Sequence, residues 1–224
     1  MNAYPLVISK VVQSDLCVGC GICVAQCPNH ALSMDWNKYG FSVPILTGVC
    51  DNDRTCISVC PFNPEPEGDV KTEDEISSFF LTETSAHADK IGEYIGLYAG
   101  HSTEFRETSS SGGLATFVSR ELLRRGIVDY IVAVRESKGE DSHYEYGILK
   151  GVNEVSQGSQ TKYYPVTLAD VIRNIKDLDG NVAVSGIPCF VKGLRLAQKK
   201  DLVLNAKVKF VIGIICGGLK SRFR

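Results

Sequence analysis

The sequence predicts a small cysteine-rich α+β domain followed by a larger α/β domain. Seven of the nine cysteines lie between positions 17 and 60. The stretch 63–75 is rich in Pro, Glu and Asp, which indicates a boundary. Strand-like and helix-like periods alternate from Ile91 onward, as in α/β domains with a largely parallel sheet. A length of 224 residues suits one to two domains.

Composition and charge exclude several classes of protein. The chain has 24 Lys and Arg against 26 Asp and Glu, a net charge of -2 and 44% hydrophobic residues. It therefore differs from a disordered polymer and from a general nucleic-acid binder. The N-terminus has no secretory leader, and the longest apolar run, 210–219, is about half of a membrane span. We expect no membrane span and a cytoplasmic location, where clustered cysteines hold metal more often than they form disulfides.

The first cysteine run has a spacing that is typical of iron-sulfur proteins. The run has the C-x2-C-x2-C-x3-C-P spacing of bacterial ferredoxins. It consists of Cys17, Cys20, Cys23 and Cys27, followed by Pro28. The short spacings place three thiolates on one iron-sulfur cube. In two-cluster ferredoxins the fourth cysteine ligates the other cluster, so a second run is expected further along the chain.

A second run is present, with one substitution. Cys50, Cys56 and Cys60 keep the spacing, and Asp53 occupies the second ligand position. Crossing the fourth ligands predicts two 4Fe-4S clusters, one held by Cys17, Cys20, Cys23 and Cys60, the other by Cys50, Asp53, Cys56 and Cys27. Because a carboxylate is a harder ligand than thiolate, we expect the second cluster to convert easily to a three-iron form. Alternatively, Asp53 is a solvated loop carboxylate beside an iron that binds water.

A zinc site or a set of buried thiols is the other interpretation of these cysteines. Zinc takes four ligands, whereas a duplicated spacing supplies eight positions here. Between the runs, 31–44 predicts two short strands around a turn at 37–40. Runs and hairpin together resemble a bacterial dicluster ferredoxin domain over residues 1–62. An acidic, Pro-containing linker is expected over 63–90, with a short helix at 76–81.

The second domain, 91–224, is expected to alternate strands and helices. The predicted strands are 94–99, 128–134, 144–149, 182–185 and 208–215, and the predicted helices are 113–125, 168–178 and 190–198. In such domains ligands bind beyond the carboxyl ends of the strands. The turns after strands therefore carry the strongest functional indications.

Three connections in this domain are unusual. The stretch from Thr108 to Gly113 precedes an amphipathic helix whose N-terminus would favour an anion, although Ser111 could instead be a simple N-cap. Pro188 lies in a strand-to-helix turn near the first turn of the predicted helix 190–198. Cys189 lies at the positive end of the helix dipole, which should lower the pKa of its thiol. Cys216 follows the next strand, so both cysteines should lie on the same side of the sheet. Buried, inert thiols are the alternative for each.

These connections add up to a recognisable pattern. The chain resembles the coenzyme F420 hydrogenase/dehydrogenase beta-subunit family in five stretches that follow the two-cluster domain in a fixed order. These stretches are SSSGGLAT, GIVDYIVAV, QGSQTKYYPV, GIPCFVKGLR and ICGGLKS. The resemblance implies an α/β flavin-binding domain. It also implies electron transfer between 4Fe-4S clusters and a bound FAD, which exchanges hydride with a deazaflavin or a related two-electron substrate.

The resemblance also implies site residues. The flavin-binding set is Ser110, Ser111, Gly112, Gly113, Thr116, Lys162, Tyr163, Gly186 and Pro188, and the catalytic pair is Lys162 and Cys189. A lysine beside the flavin ring would stabilise its anionic reduced state. Two positions depart from the family pattern: Thr161 replaces an expected Ser, and Ile187 replaces an expected Thr. The role of Cys216 stays open between a ligand to a further cluster and a lining residue of the flavin site.

The function expected from this pattern is that of an iron-sulfur flavoprotein oxidoreductase. The expected partners are a ferredoxin-like electron donor or acceptor, a deazaflavin substrate and a partner subunit. The alternatives are a non-enzymatic electron-transfer subunit and a structural metal-binding adaptor. Family members continue past position 224, so we expect the α/β domain to be truncated at its C-terminus.

Overall fold

The computed structural model describes residues 4–66, 70, 72–81 and 86–223. Parts of the expected linker, 67–69, 71 and 82–85, lie outside the described residues. The cysteine-rich region begins with a π-helical turn, Ile8–Val12, and continues with α1 (Ile22–Ala25), β1 (Leu32–Trp36), β2 (Ser42–Leu46) and α2 (Thr55–Ser58).

The hairpin expected between the two cysteine runs is confirmed. β1 pairs antiparallel with β2, with Leu32 opposite Leu46 and Trp36 opposite Ser42. The Asn37 side-chain oxygen closes the turn, because it accepts hydrogen bonds from the N–H groups of Tyr39 and Phe41, both at 3.0 Å. A short polar side chain that bonds to nearby backbone favours such a turn over continued strand.

The linker expected over 63–90 has more regular structure than its composition indicates. It contains α3 (Glu73–Phe80), which begins three residues before the predicted helix. Thr72 caps α3, because its hydroxyl accepts from the Glu75 N–H while the Glu75 carboxylate accepts from the Thr72 N–H. A small hairpin follows, β3 (Ala86–Ala88) with β4 (Gly92–Tyr94).

The strand predicted over 94–99 is wrong. β4 ends at Tyr94, and the apolar side chains that suggested a buried strand are exposed, with Tyr98 at 95% and Ile95 at 73% of their accessible surface. Apolar character alone predicted that strand. No neighbouring strand pairs with residues 95–99 among the described residues.

The second domain is built on a four-stranded sheet. Its elements are α4 (Leu114–Arg124), β5 (Tyr130–Glu136), β6 (Tyr144–Leu149), α5 (Ala169–Lys176), β7 (Val182–Gly186), α6 (Pro188–Lys200), α7 (Leu202–Lys207) and β8 (Val208–Gly213). A 3-10 turn, Val155–Gly158, follows β6. The predicted strands and helices from residue 113 onward are confirmed to within a few residues, and α7 was not predicted.

The sheet is mixed, and this qualifies the expectation of a largely parallel sheet. The strand order is β6-β5-β7-β8, with β5, β7 and β8 parallel. β6 runs antiparallel to β5. Seven residues separate these two strands, which is enough for a hairpin but too short for the crossover that a parallel pair requires.

The two regions share one hydrophobic core. Ile22 and Val59 of the cysteine-rich region are fully buried in the same cluster as Leu168, Ile172 and Phe190 of the second domain. A second cluster of buried residues lies around the π-helical turn and α1. The expected boundary therefore separates two sequence patterns that pack into one body. No helix within the described ranges is long and apolar enough to cross a membrane.

Candidate functional site

Four of the expected ligands surround one small cavity. Cys17, Cys20, Cys23 and Cys60 line it, and these are the four residues that the crossed pattern assigns to the first cluster. The α1 helix and the turn before it bring three of them together, and Cys60 comes from the end of α2. Each of the nine cysteines is a free thiol. Chemistry and placement both fit a 4Fe-4S cluster at this position.

Burial controls the protonation of these thiols. It raises the pKa of Cys20 and of Cys23 far above the usual value. It also raises the pKa of Cys60 to about 11, with a smaller opposing effect from the Lys192 ammonium. Thiols in this environment carry protons until a cation replaces them, so cluster binding must release protons.

The second set of expected ligands lies closer to the surface. Burial raises the pKa of Cys56, and the neighbouring charges of Asp53 and Cys50 add to the effect, which places these three groups near one another. The Cys27 Sγ accepts a hydrogen bond from the Ala31 N–H at 3.3 Å. Asp53 itself is exposed.

The Asp53 carboxylate already has partners inside the chain. It accepts hydrogen bonds from the Thr55 N–H at 3.1 Å and the Thr55 hydroxyl at 2.6 Å, at the start of α2. This geometry suits a loop carboxylate and leaves a ligand role as a prediction. Among the described residues, no three His, Cys, Asp or Glu side chains are grouped closely enough to hold a single metal ion.

The second domain packs directly against the first cysteine run. The Leu168 N–H donates to the Cys20 carbonyl at 2.9 Å. The Arg173 guanidinium donates to the Val24 carbonyl at 2.7 Å, near the end of α1. Gly21 has a φ of +76°, and a Cβ there would lie 2.8 Å from the Ala169 nitrogen. The close approach of α5 therefore depends on a glycine at this position.

Two of the predicted flavin loops are hydrogen-bonded to each other. The Ser110 hydroxyl accepts from the Thr161 N–H at 2.9 Å. The Ser159 hydroxyl lies 3.2 Å from the Ser109 hydroxyl and 3.4 Å from the Thr116 hydroxyl. Ser159 is buried and connects the loops, yet it was not among the predicted site residues. Its place in QGSQTKYYPV was the available signal.

The start of α4 differs from the alternative in which the Ser111 side chain caps the helix. Gly113 is the N-cap, with a φ of +73° that favours glycine, and no side chain caps the helix. The Ser111 carbonyl instead accepts from the Arg106 guanidinium at 2.9 Å. The Gly112 carbonyl accepts from the Ser102 N–H at 2.7 Å. The interpretation of Ser111 as N-cap is therefore wrong.

Lys162 lies against its own loop. Its ammonium donates to the Gln157 carbonyl at 3.3 Å and to the Ser159 carbonyl. Burial lowers the pKa of Lys162, and the nearby Glu136 carboxylate opposes that shift. The neighbouring Tyr163 is 67% exposed.

The turn between β7 and α6 corrects the expected thiol chemistry. Pro188 is the first residue of α6, two residues before the predicted start of this helix, and Cys189 follows it. Burial raises the pKa of Cys189, although the N–H groups of Phe190 and Cys189 act in the opposite direction. The predicted lowering by the helix dipole is wrong, because loss of hydration outweighs it. The charge of Cys216 also acts on Cys189, in agreement with the predicted placement of both cysteines on one side of the sheet.

These features meet at one edge of the sheet. β5, β7 and β8 are parallel, so Glu136, Gly186 and the segment leading to Cys216 lie toward the same carboxyl edge. Cys189 lies near enough to Cys20 to affect its pKa. The cavity lined by four cysteines therefore adjoins the edge at which α/β domains bind ligands.

Comparison with known proteins finds relatives over nearly the whole chain. An F(420)H(2) dehydrogenase subunit of Methanosarcina mazei is 24% identical over 95% of this chain and 56% of its own length. Coenzyme F420-dependent sulfite reductase of Methanocaldococcus jannaschii is 24% identical over 95% of this chain and 32% of its own length. A ferredoxin of Pyrobaculum islandicum is 43% identical over 51 residues, 23% of this chain and 45% of its own length. The chain thus spans about half of the length of the first relative and about a third of the length of the second.

Three family models account for most of the chain. The 4Fe-4S dicluster domain matches residues 16–63. The N-terminal model of coenzyme F420 hydrogenase/dehydrogenase, beta subunit, matches 97–173, and the C-terminal model matches 179–224. These matches confirm the resemblance that the sequence motifs indicated. The chain belongs to the coenzyme F420 hydrogenase/dehydrogenase beta-subunit family and carries a 4Fe-4S dicluster domain at its N-terminal end.

Proposed function

We propose that this chain passes electrons between two 4Fe-4S clusters and an FAD held by the second domain, within an oxidoreductase that acts on coenzyme F420 or a related two-electron substrate. The observation that carries the proposal is the cavity shared by Cys17, Cys20, Cys23 and Cys60. It brings together the last cysteine of the second run with the first three of the first run, as a crossed two-cluster arrangement requires.

The difference in burial between the two ligand sets supports an order in which electrons pass through the two clusters. The first set adjoins the carboxyl edge of the sheet, and Cys20 and Cys23 are buried. The second set includes the exposed Asp53, in a loop whose residues 51–54 are all exposed. We call the cluster expected at Cys17, Cys20, Cys23 and Cys60 the inner cluster, and the one expected at Cys27, Cys50, Asp53 and Cys56 the outer cluster. The inner cluster would exchange electrons with the second domain. The outer cluster would exchange them with a ferredoxin-like donor or acceptor.

The flavin part of the proposal depends on the loops at 108–113 and 157–163. The bond from the Thr161 N–H to the Ser110 hydroxyl joins the glycine-rich loop before α4 to the loop that carries Lys162. The start of a helix favours an anion such as a phosphate. FAD supplies the conversion between one-electron and two-electron chemistry when it is bound. The role of this chain would be to hold the phosphates of FAD at the start of α4 and to place Lys162 near Glu136.

A non-enzymatic electron-transfer subunit is the second candidate, and one observation favours it. The hydroxyls of Ser109 and Thr116 each contact the Ser159 hydroxyl, and the Lys162 ammonium contacts backbone carbonyls. Groups already satisfied by protein partners gain less from binding a ligand. In this case the second domain would dock a catalytic partner subunit, and the clusters would act as a relay.

The distinguishing experiment measures iron, acid-labile sulfide and flavin in anaerobically purified protein, with EPR of the reduced form. About eight irons and one FAD per chain are expected for the flavoenzyme, from two cubes of four irons each. About eight irons without flavin, also after reconstitution with FAD, would favour the relay. Protein that takes up no iron under reconstitution would contradict both.

Matched cysteine variants test the ligand assignment. Cys20→Ser should lower the iron content by removing a ligand of the inner cluster. Cys189→Ser changes a neighbouring thiol that is not assigned as a ligand, so its iron content should stay at the parent value. Equal iron in both variants would contradict the assignment of Cys20.

A further inference from the structure

A group of four aromatic side chains joins the cysteine-rich region to the second domain, with Tyr164 at its centre. The ring centroid of Tyr164 lies 6.1 Å from that of Trp36, 5.4 Å from that of His143 and 5.9 Å from that of Tyr144. All three contacts are edge-to-face, an arrangement in which aromatic rings attract one another beyond the burial of their apolar surface. Trp36 is the member that comes from the cysteine-rich region.

Trp36 is held by its own region of the chain. It is the last residue of β1, on the same face of the strand as Leu32 and Met34. Leu32 is buried in the hydrophobic cluster around the π-helical turn and α1, and Met34 packs against that cluster. The guanidinium carbon of Arg222 lies 4.6 Å from the centre of the Trp36 ring. The part of the chain that carries the cysteine runs therefore fixes the position of this ring.

Tyr164 follows the loop that carries Lys162. The Lys162 backbone lies two residues away, and the preceding Thr161 N–H donates to the Ser110 hydroxyl at 2.9 Å. Pro165 comes directly after Tyr164 and is buried. A proline restricts its own backbone and that of the residue before it. A ring anchored at position 164 therefore limits where this loop can place Lys162.

We propose that Tyr164 is a positioning residue for FAD, which acts by holding the loop at 157–163 in place through its contact with Trp36. This inference rests on the proposed function, since it assumes that this loop contributes to the FAD site. A loop that is ordered before a ligand binds loses less conformational entropy on binding. The affinity of the second domain for FAD should therefore depend on a side chain of the cysteine-rich region.

The experiment measures the Kd for FAD by equilibrium dialysis of reconstituted protein, with iron content measured on the same samples. Tyr164→Leu removes the ring contacts and should weaken binding by about two- to tenfold, the range expected for an aromatic pair. Trp36→Leu should weaken binding by a similar factor. Tyr164→Phe keeps the ring and should retain the parent affinity.

Tyr39→Leu is the matched control on the same hairpin. Tyr39 lies in the turn after β1, is 58% exposed and has its ring against the Lys38 ammonium, 4.9 Å from the ring centre. It is outside the group of four aromatic side chains. Its replacement removes an aromatic ring next to the strand that carries Trp36, and the Kd for FAD should stay at the parent value.

The double variant Trp36→Leu/Tyr164→Leu tests whether the two rings act through their contact. If they do, its affinity should be no weaker than that of the weaker single variant, because either change alone already removes the contact. Two factors that multiply in the double variant at full iron content would overturn the inference. The same is true of a Tyr164→Leu variant with the parent affinity.

The remaining outcomes separate this inference from the proposed function. Equal losses of affinity in Tyr164→Phe and Tyr164→Leu would assign the effect to the hydroxyl and would overturn the inference. Should Trp36→Leu lose iron, the comparison of these two Tyr164 variants decides, because both keep Trp36. A parent protein that retains iron but no FAD would refute the flavin part of the proposed function itself.

Discussion

Gly21→Ala tests whether the close contact between the first cysteine run and the second domain stabilises the protein. Gly21 is the N-cap of α1, with φ +76° and ψ 2°. A Cβ there would overlap the Thr167 hydroxyl and would lie 2.8 Å from the nitrogen and 2.9 Å from the Cβ of Ala169. Ala169 begins α5, so its backbone cannot move aside without shifting that helix.

Two costs should add in this variant. A left-handed conformation costs a non-glycine residue about 1–2 kcal/mol. Overpacking against a fixed backbone costs about 1–3 kcal/mol more. Gly126→Ala is the matched control, because Gly126 has a φ of +63° but nothing within 4 Å of its added Cβ. The control should therefore show the first cost without the second.

The assay is the apparent Tm of anaerobic protein at one scan rate, followed by the fluorescence of Trp36, the single tryptophan. For a chain of this size about 1 kcal/mol shifts Tm by about 2–4 °C. Gly21→Ala should therefore lower Tm by about 2–12 °C more than Gly126→Ala does. Iron content should fall with it, since Gly21 lies between Cys20 and Cys23. Equal Tm shifts in the two variants would refute the argument from the interdomain contact.

Three further predictions follow from single side chains. Asp53→Cys should make the outer cluster more resistant to oxygen and change its EPR spectrum, whereas an unchanged spectrum and iron content would count against Asp53 as a ligand. Asp201 caps α7 and pairs with Lys176, so Asp201→Ala should cost about 0.5–2 kcal/mol in urea unfolding and Asp201→Asn less. Burial raises the pKa of Asp201, but its hydrogen bonds and the charge of Lys176 outweigh burial, so the net shift of this pKa is downward. The stabilisation of the folded state by Asp201 should therefore be fully present above about pH 3.9, the ordinary pKa of an aspartate. It should be lost as the pH falls through the lower folded-state pKa. A parent and an Asp201→Asn variant that lose stability in parallel on acidification would contradict this. Ser110→Ala should weaken retention of FAD by about tenfold or less in equilibrium dialysis, because the bond to the Thr161 N–H is lost, and unchanged retention would separate that bond from flavin binding.

Spacing along the chain predicted the 4Fe-4S dicluster domain whose family model matches residues 16–63. The intervals between Cys17 and Cys27 and between Cys50 and Cys60 are local, and the short turns and helices they occupy leave few alternative arrangements. Local signals also predicted the hairpin around Asn37 and, to within two residues, the start of α6, because a side chain or a ring restricts the backbone directly there.

Only the tertiary structure decided what depends on several segments at once. The shift of the Cys189 pKa is upward, since burial by distant elements exceeds the local effect of the helix. Apolar residues at 95–99 stay exposed although their pattern suggested a strand, because a strand also needs a partner. Tyr146 approaches Gly186 only across β5, a relation set by the strand order β6-β5-β7. The sequence alone therefore determined the ligand spacing and the local turns, while burial and the proximity of residues distant in sequence were decided by packing.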